Sequence, residues 1–399
     1  MANVSSSNSQ KALVPKLRFP GFEGEWYLSP LSTYLAENTD RNKSLQYSKN
    51  DVLSVSGEYG IVNQIALQGR SFAGVSVADY HVVETNDVVY TKSPLKANPY
   101  GIIKHNSGVP GIVSTLYAVY HPKSCAISQF IDYYFQNDLR LNKYLKPLVN
   151  IGAKHDMKIN NEVALTGDVI FPSVDEQAKI VDFLKLIDEK IAKQKQLVEA
   201  LKSYKRGVST AIFNESLHIG SDSKWKEFSL GDFCTVVMGQ SPDSTTYNND
   251  GLGLPLVQGN ADIYEGVTWP QHFTSAPTKI ATANSILLSV RAPVGSVSIA
   301  NQTVCIGRGV CSITSENMDF LYQLLVHIQD KWKKIEQGGT FTAISGDDIR
   351  RFRVTIPCVS DQIIIGSFLG AIDSLINNNK AICVALSKLK SAFLQILFI

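Results

Sequence analysis

The chain has 399 residues, a formal net charge of +2, 44% hydrophobic and 19% charged residues, which suits two or three domains of ordinary composition. A charge so near zero names no partner, so any basic surface must come from uneven distribution. Six cysteines (125, 234, 305, 311, 358, 383) are scattered with no C-x-x-C pair, arguing against disulfides and zinc; with no secretory h-region and no apolar run expected to cross a bilayer, the expectation is a reduced, cytoplasmic chain.

Residues 1–14 are rich in Ser and Asn and are expected to be disordered. From Leu17 runs LRFPGFEGEWYLSPL, and from Leu217 a counterpart, LHIGSDSKWKEFSL, in which Leu17/Leu217, Trp26/Trp225 and Leu31/Leu230 correspond once one residue is dropped. Residues 25–170 carry short β-type runs bounded by Gly, Asn and Pro: VLSVS, HVVET, DVVYTKS, GIIKH and GIVSTLYAVYH. A helical patch over 128–149 would turn Phe130, Tyr133, Tyr134, Leu139 and Leu145 inward.

Residues 171–213 then read as a long helix, and they recur without a gap at 356–398. Pro172/Pro357, Val174/Val359, Gln177/Gln362, Leu184/Leu369, Asp188/Asp373 and Phe213/Phe398 are among the identical pairs. Self-similarity at a fixed offset is an architectural signal. A four-three rhythm places Ile180, Leu184, Ile187, Ile191, Val198 and Leu201 on one stripe, matched by Ile365, Leu369, Ile372, Ile376 and Leu386. Sustained heptads argue for a coiled-coil seam, interrupted at Gln194/Asn379 and Lys205/Lys390, where polar residues would penalise wrong registers. Two amphipathic helices in separate cores would be the plainer alternative.

The second region repeats the order of the first: GLPLVQGN, SILLSVRAPVG, SVSIANQTVCIGRGVCSIT and a helix over 318–337. Each region passes a loop (151–155; 338–342) before a strand leading to its long helix, so both read as α+β and strand-dominated. Paired antiparallel, roughly 35 helical residues would span about 50 Å and hold two similar globules at opposite ends of a rod with pseudo-two-fold symmetry.

Enzyme signatures are absent: there is no GxxxxGK[ST] loop and no HExxH helix. Asn98-Pro99-Tyr100 lacks the second proline of an amino-methyltransferase tetrad, and Asp188-Glu-Lys190 reads as a solvated helix face. Charge is more informative. Residues 92–158 hold nine Lys or Arg against three Asp, while 23–87 hold nine acids against four bases, as one basic face for phosphate contacts would require; a solvated helix with scattered lysines explains the charge equally. Residues 225–354 are slightly acidic, and Arg350, Arg351 and Arg353 are candidates for partner contacts. Loops rich in amides, hydroxyls and cations can supply base-edge donors and acceptors. The candidate DNA contacts are Tyr59, Lys92, Ser93, Lys96, Lys104, Lys154, His155 and Lys158 in the first region, and Gln240, Ser241, Gln258, Asn260, Arg291, Arg308 and Thr342 in the second.

LRFPGFEGEW, the Leu230-Gly-Asp…Gly239-Gln-Ser-Pro242 opening, SVRAPVG and the twin P-x-V-x-x-Q helices together resemble the specificity subunit of type I restriction–modification enzymes, over nearly the whole chain. The resemblance implies target-recognition domains at 15–170 and 214–355, each reading half of a split double-stranded DNA sequence through the major groove. It implies spacer helices at 171–213 and 356–399 that fix the gap and dock two modification (methyltransferase) subunits. Those subunits would carry S-adenosylmethionine and methylate adenine at N6, and restriction subunits would add cleavage with ATP and magnesium; no cofactor or metal would sit on this chain, and no membrane is expected. With the second helix reaching Phe398, the segment from Leu17 to Trp26 would have to cap its end. A coiled-coil scaffold with two ligand- or protein-binding globules is the competing class.

Overall fold

The computed structural model describes residues 12–151, 157–221, 224–332 and 343–399. Residues 1–11, within the stretch expected to be disordered, lie outside them. The chain divides into two compact units, Met1–Lys193 with Ile382–Ile399, and Gln194–Ala381. Two long helices, Val174–Phe213 (40 residues) and Val359–Ile396 (38 residues), contribute to both.

In the first unit, strand Tyr27–Pro30 pairs antiparallel with Asp168–Phe171, the strand that leads into the first long helix. A four-stranded antiparallel sheet runs in the order Leu35–Glu37, Tyr117–Pro122, Val88–Thr91, Ile103–His105. The run expected as one strand over 111–121 is broken by a turn in which the Tyr117 amide donates to the Ser114 carbonyl, giving Gly111–Val113 and Tyr117–Pro122. The helical patch likewise splits into Ser128–Phe135 and Asp138–Leu145, because the Asn137 side chain accepts from the Arg140 amide and caps the second piece. Leu139, expected to face inward, is 83% exposed as a result, whereas Phe130, Tyr133, Tyr134 and Leu145 are buried.

The core of this unit joins the sheet and both short helices to one end of each long helix. Phe130 packs against Phe171 and Phe398 at 5.0 and 5.3 Å between ring centroids, and Phe183 meets Phe393 at 4.9 Å. Ile180 and Leu184 from one long helix and Leu394 and Leu397 from the other are buried in the same cluster; each such side chain contributes about 1.5–3 kcal/mol. The Leu17 amide donates to the Ile396 carbonyl at 3.0 Å, and Phe19 lies 5.5 Å from Phe183. The segment from Leu17 thus supplies a donor for a carbonyl that the end of the second helix leaves open.

The second unit repeats the scheme. Strand Lys226–Ser229 pairs antiparallel with Arg353–Ile356, which precedes the second long helix. Among the described residues there is a six-stranded sheet centred on Val310–Thr314, Ile286–Ser289 and Val297–Ile299. A five-stranded sheet is centred on Leu254–Val257 and Val304–Ile306. Helix Met318–His327 lies over Phe213, whose ring stands 5.9 Å from Phe320 and 6.2 Å from Trp225.

The duplication extends to individual hydrogen bonds. Gln177 is fully buried; its Nε2 donates to the Pro172 carbonyl and its Oε1 accepts from the Ile127 amide, ahead of helix Ser128–Phe135. Gln362 does the same with the Pro357 carbonyl and the Asn317 side chain, ahead of helix Met318–His327. Glu176 accepts two guanidinium bonds from Arg18, at 2.8 and 2.7 Å, as its counterpart Asp361 accepts the Ser221 amide and hydroxyl.

The polar breaks in the seam are paired. Gln194 Nε2 donates to Asn379 Oδ1 at 2.5 Å, and Lys205 Nζ reaches both oxygens of Asp373 at 2.6 Å. In the other unit Lys390 Nζ lies 2.7 Å from Asp188 Oδ1. Asp188, whose D-x-K context suggested a solvated helix face, keeps 39% of its side chain exposed but is also met by Lys390 and the Tyr133 hydroxyl (2.8 Å). Asp373 is met correspondingly by Gln323. In both units the partners run antiparallel.

One composition reading needs correction. The second long helix contains an 18-residue window of mean hydropathy 1.4, long and apolar enough to cross a membrane by length and composition, with 39% of it buried. Its seam residues Ile365, Leu369, Ile372 and Ile376 are what bury it, while Ile363, Ile364, Phe368 and Leu375 remain exposed.

Phe398→Ala removes the ring that closes the aromatic cluster of the first unit. A loss of about 3–5 kcal/mol is expected in urea unfolding, and a change below 1 kcal/mol would remove this cluster from the core. A second outcome concerns acid. Burial pushes the buried His81 imidazole down to about 4, with Arg41 and Lys92 adding like-charge repulsion, whereas the unfolded side chain titrates near about 6.5. The unfolded chain binds the extra proton, so this contribution is complete above pH ~6.5 and is lost as pH falls towards ~4. The urea midpoint should drop across that window, and less in His81→Gln; equal acid sensitivity in the variant would place the effect elsewhere.

Candidate nucleic-acid interface

In the second unit three strands deliver their loops to one place. Leu254–Val257 runs parallel to Val304–Ile306, so both release their following residues at the same edge. Gln258 comes directly after the first. After the second, the Val310 amide donates back to the Gly307 carbonyl at 3.1 Å, closing a turn with Arg308 at its tip. The Arg308 amide donates to Ser241 Oγ at 3.1 Å, and the Gln240 amide to the Ile306 carbonyl at 2.9 Å. The third strand, Ile286–Ser289, continues to Val290, whose amide donates to the Gly309 carbonyl, and to Arg291, bridged to Ala343.

Glycine is required at 309, because a Cβ there would stand 2.1 Å from the Gln258 carbonyl oxygen. Asp262 is buried, and its Oδ2 accepts the Gln258 amide at 2.7 Å while its carbonyl accepts the Trp269 amide. It fixes the loop carrying Gln258 and Asn260. The result is a concave surface of about 480 Å³ lined by Gln258, Asn260, Asp262, Arg291 and Arg308, with both arginines exposed. Amides that donate and accept, beside two guanidiniums with no ion pair among the described residues, offer donors to base edges and phosphates.

Six of the seven sequence candidates of this unit gather around that turn: Gln258, Asn260, Arg291 and Arg308 on the concavity, Gln240 and Ser241 behind it. Thr342 lies outside the described residues. Asp262, Gly309 and the exposed Trp269 were not singled out; the close spacing Gly307-Arg308-Gly309 was the available sign of a tight turn. Arg350 and Arg353 pair with Asp347 and Glu227 rather than standing free.

The first unit is less convergent. Tyr59, 60% exposed, tips the hairpin Leu53–Ser56/Gly60–Asn63. Lys92 and Ser93 follow strand Val88–Thr91, in the place Val290 and Arg291 take after Ile286–Ser289. The Lys92 ammonium donates to Asn161 Oδ1 at 2.8 Å, and Asn161 donates to Glu37. Burial lowers the Lys92 pKa and Glu37 works against it. Lys96 is exposed. Lys104 is not available to a phosphate in this arrangement: it is 9% exposed and pairs with Asp132 at 3.1 Å. Lys154 and His155 lie outside the described residues. Lys158 belongs to the short strand Met157–Lys158, paired with Asn150–Ile151. Among the described residues no cluster of three or more His, Cys, Asp or Glu is placed to hold a metal.

A family model described as the type I restriction modification DNA specificity domain matches residues 222–387, the stretch containing the concave surface. The putative type I restriction enzyme MjaX specificity subunit of Methanocaldococcus jannaschii is 31% identical over 242 residues, 57% of this chain and 57% of the relative. The type I restriction enzyme MjaIX specificity subunit of the same organism is 29% identical over 107 residues, 26% of this chain and 25% of the relative. The match thus spans little more than half of the first relative's length and a quarter of the second's.

Among solved structures, a chain from work on complex assembly and conformational transition of the type I R-M system superposes with a TM-score of 0.58 at 24% identity, covering 92% of this chain and 96% of that one. The type I restriction–modification S subunit from M. genitalium gives 0.60 at 15% identity, covering 97% and 99%; these likenesses speak for the fold. Sequence likeness to the type I restriction modification DNA specificity domain thus covers residues 222–387, and likeness of fold to solved type I restriction–modification chains extends over nearly the whole chain.

Proposed function

We propose that this chain is the non-catalytic subunit that gives a type I restriction–modification complex its DNA sequence specificity. In this reading residues 15–170 and 214–355 are the two target-recognition domains, each reading one half of a bipartite site in double-stranded DNA. Residues 171–213 and 356–399 are the spacer that sets the gap. The observation that carries the reading is the coincidence of the DNA specificity domain match with the concave surface of Gln258, Asn260, Arg291 and Arg308. In the first domain Tyr59, Lys92, Ser93, Lys96 and Lys158 are the proposed contacts from the described residues, and Lys154 and His155 are proposed beside them from the sequence alone.

Two modification subunits are the proposed partners on the long helices. The outward residues Ile363, Ile364, Phe368 and Leu375, exposed by 37–54%, supply apolar surface for such docking. S-adenosylmethionine then belongs to the modification subunits, ATP and magnesium to restriction subunits, and the setting is the cytoplasm, where the DNA is.

Co-expression with the modification subunits, followed by methylation-sensitive sequencing of the host DNA, should yield one bipartite motif with a fixed gap. Replacing residues 15–170 with those of a relative should change one half of that motif and leave the other. A motif altered in both halves would refute the modular assignment. The purified complex should bind its target with an affinity that falls steeply with salt, whereas a scaffold would show neither sequence preference nor salt slope.

A further inference from the structure

We infer that Arg308 reads a guanine in the half-site recognised by the second unit. The inference rests on the DNA-specificity reading above and adds the identity of a base and the residue that selects it.

The backbone around Arg308 is held on every side. Gly307 donates to the Val257 carbonyl at 2.8 Å, Arg308 itself to Ser241 Oγ at 3.1 Å, and Val310 to the Gly307 carbonyl at 3.1 Å. Glycines flank it, and neither can grow a side chain freely: a Cβ on Gly309 would meet the Gln258 carbonyl at 2.1 Å and one on Gly307 would meet Gln258 Cα at 3.2 Å. A long cation therefore projects from a fixed point into the concavity with no neighbouring side chain beside it on its own turn. Such pre-organisation lowers the ordering cost of a directional contact.

Its charge is also unspent. Among the described residues Arg308 has no ion pair or side-chain hydrogen bond, and Asp262, the carboxylate lining the same surface, is buried and turned to the Gln258 amide. A guanidinium is a planar fork of donors. In the major groove guanine alone presents two acceptors side by side, O6 and N7; adenine offers one acceptor beside a donor, thymine a single O4 and cytosine a donor. A fork held at a fixed point selects guanine. Gln258 and Asn260, which both donate and accept, do not share that restriction.

The test uses the chain assembled with its modification subunits and duplexes carrying the motif found by methylation-sensitive sequencing, with each base pair replaced singly. The wild-type complex should lose roughly 5- to 150-fold in affinity when one particular guanine of one half-site is replaced. Arg308→Ala and Arg308→Lys should both lose that discrimination, keep every preference in the other half-site, and melt like the wild type, since the side chain is exposed. If Arg308→Ala instead weakens all duplexes equally and Arg308→Lys restores binding, the residue holds a phosphate and the inference is overturned. A bipartite preference that survives unchanged in Arg308→Ala overturns the inference alone, whereas a wild-type complex with no sequence preference overturns the specificity reading with it.

Discussion

Each unit is held by a carboxylate on one long helix that receives a lysine from the other helix and a neutral donor from the globule. Asp188 takes Lys390 and the Tyr133 hydroxyl; Asp373 takes Lys205 and Gln323. A hydrogen bond to a charged group is worth about 1.5–3 kcal/mol, and leaving a half-buried lysine in an apolar seam without its anion would cost more than the bond returns. The polar interruption is thus tolerable only in the register that brings the aspartate opposite. The same three-way contact ties globule to helix pair.

Much of this architecture was written in the repeat. The offset of 185 residues that aligns Gln177 with Gln362 also aligns their hydrogen bonds, because a buried amide at the start of a helix must have all its partners, and the partners were duplicated with it. The heptad stripe named the buried faces. What periodicity cannot name is a tertiary partner. The D-x-K context of Asp188 gave no sign of its partner because the lysine lies 202 residues away, and Lys390 read only as a polar interruption for the same reason. Leu139 shows a different limit: the inward stripe drawn through residues 128–149 assumed one helix, and an Asn cap at position 137 reset the phase of the second.

The site was legible in chemistry and only half legible in place. In the second unit the amides and arginines chosen from loop composition converge, since the strands that end there are those the apolar runs had located, and parallel pairing of two of them puts their loops together. In the first unit composition misled. Lys104 counts towards a basic segment on paper but is matched within the core by Asp132, and Lys92 is drawn towards Asn161 and Glu37. Net charge along a sequence does not distinguish a cation facing solvent from one already neutralised. Asp262, a buried carboxylate that lines the concavity and accepts the Gln258 amide, gives no signal in a search for cations and amides.

The composition of the first unit, whose core draws on Leu394, Leu397 and Phe398 as well as on residues before Lys193, bears on how the chain comes off the ribosome. The second unit is one continuous stretch, Gln194–Ala381, and all its partners exist once Ala381 has emerged. The first lacks Leu394, Leu397 and the Phe398 ring that packs on Phe130 until the last turns of the second long helix are made. The half synthesised first is therefore the half completed last, and during translation it is the N-terminal apolar surface that relies on shielding from aggregation.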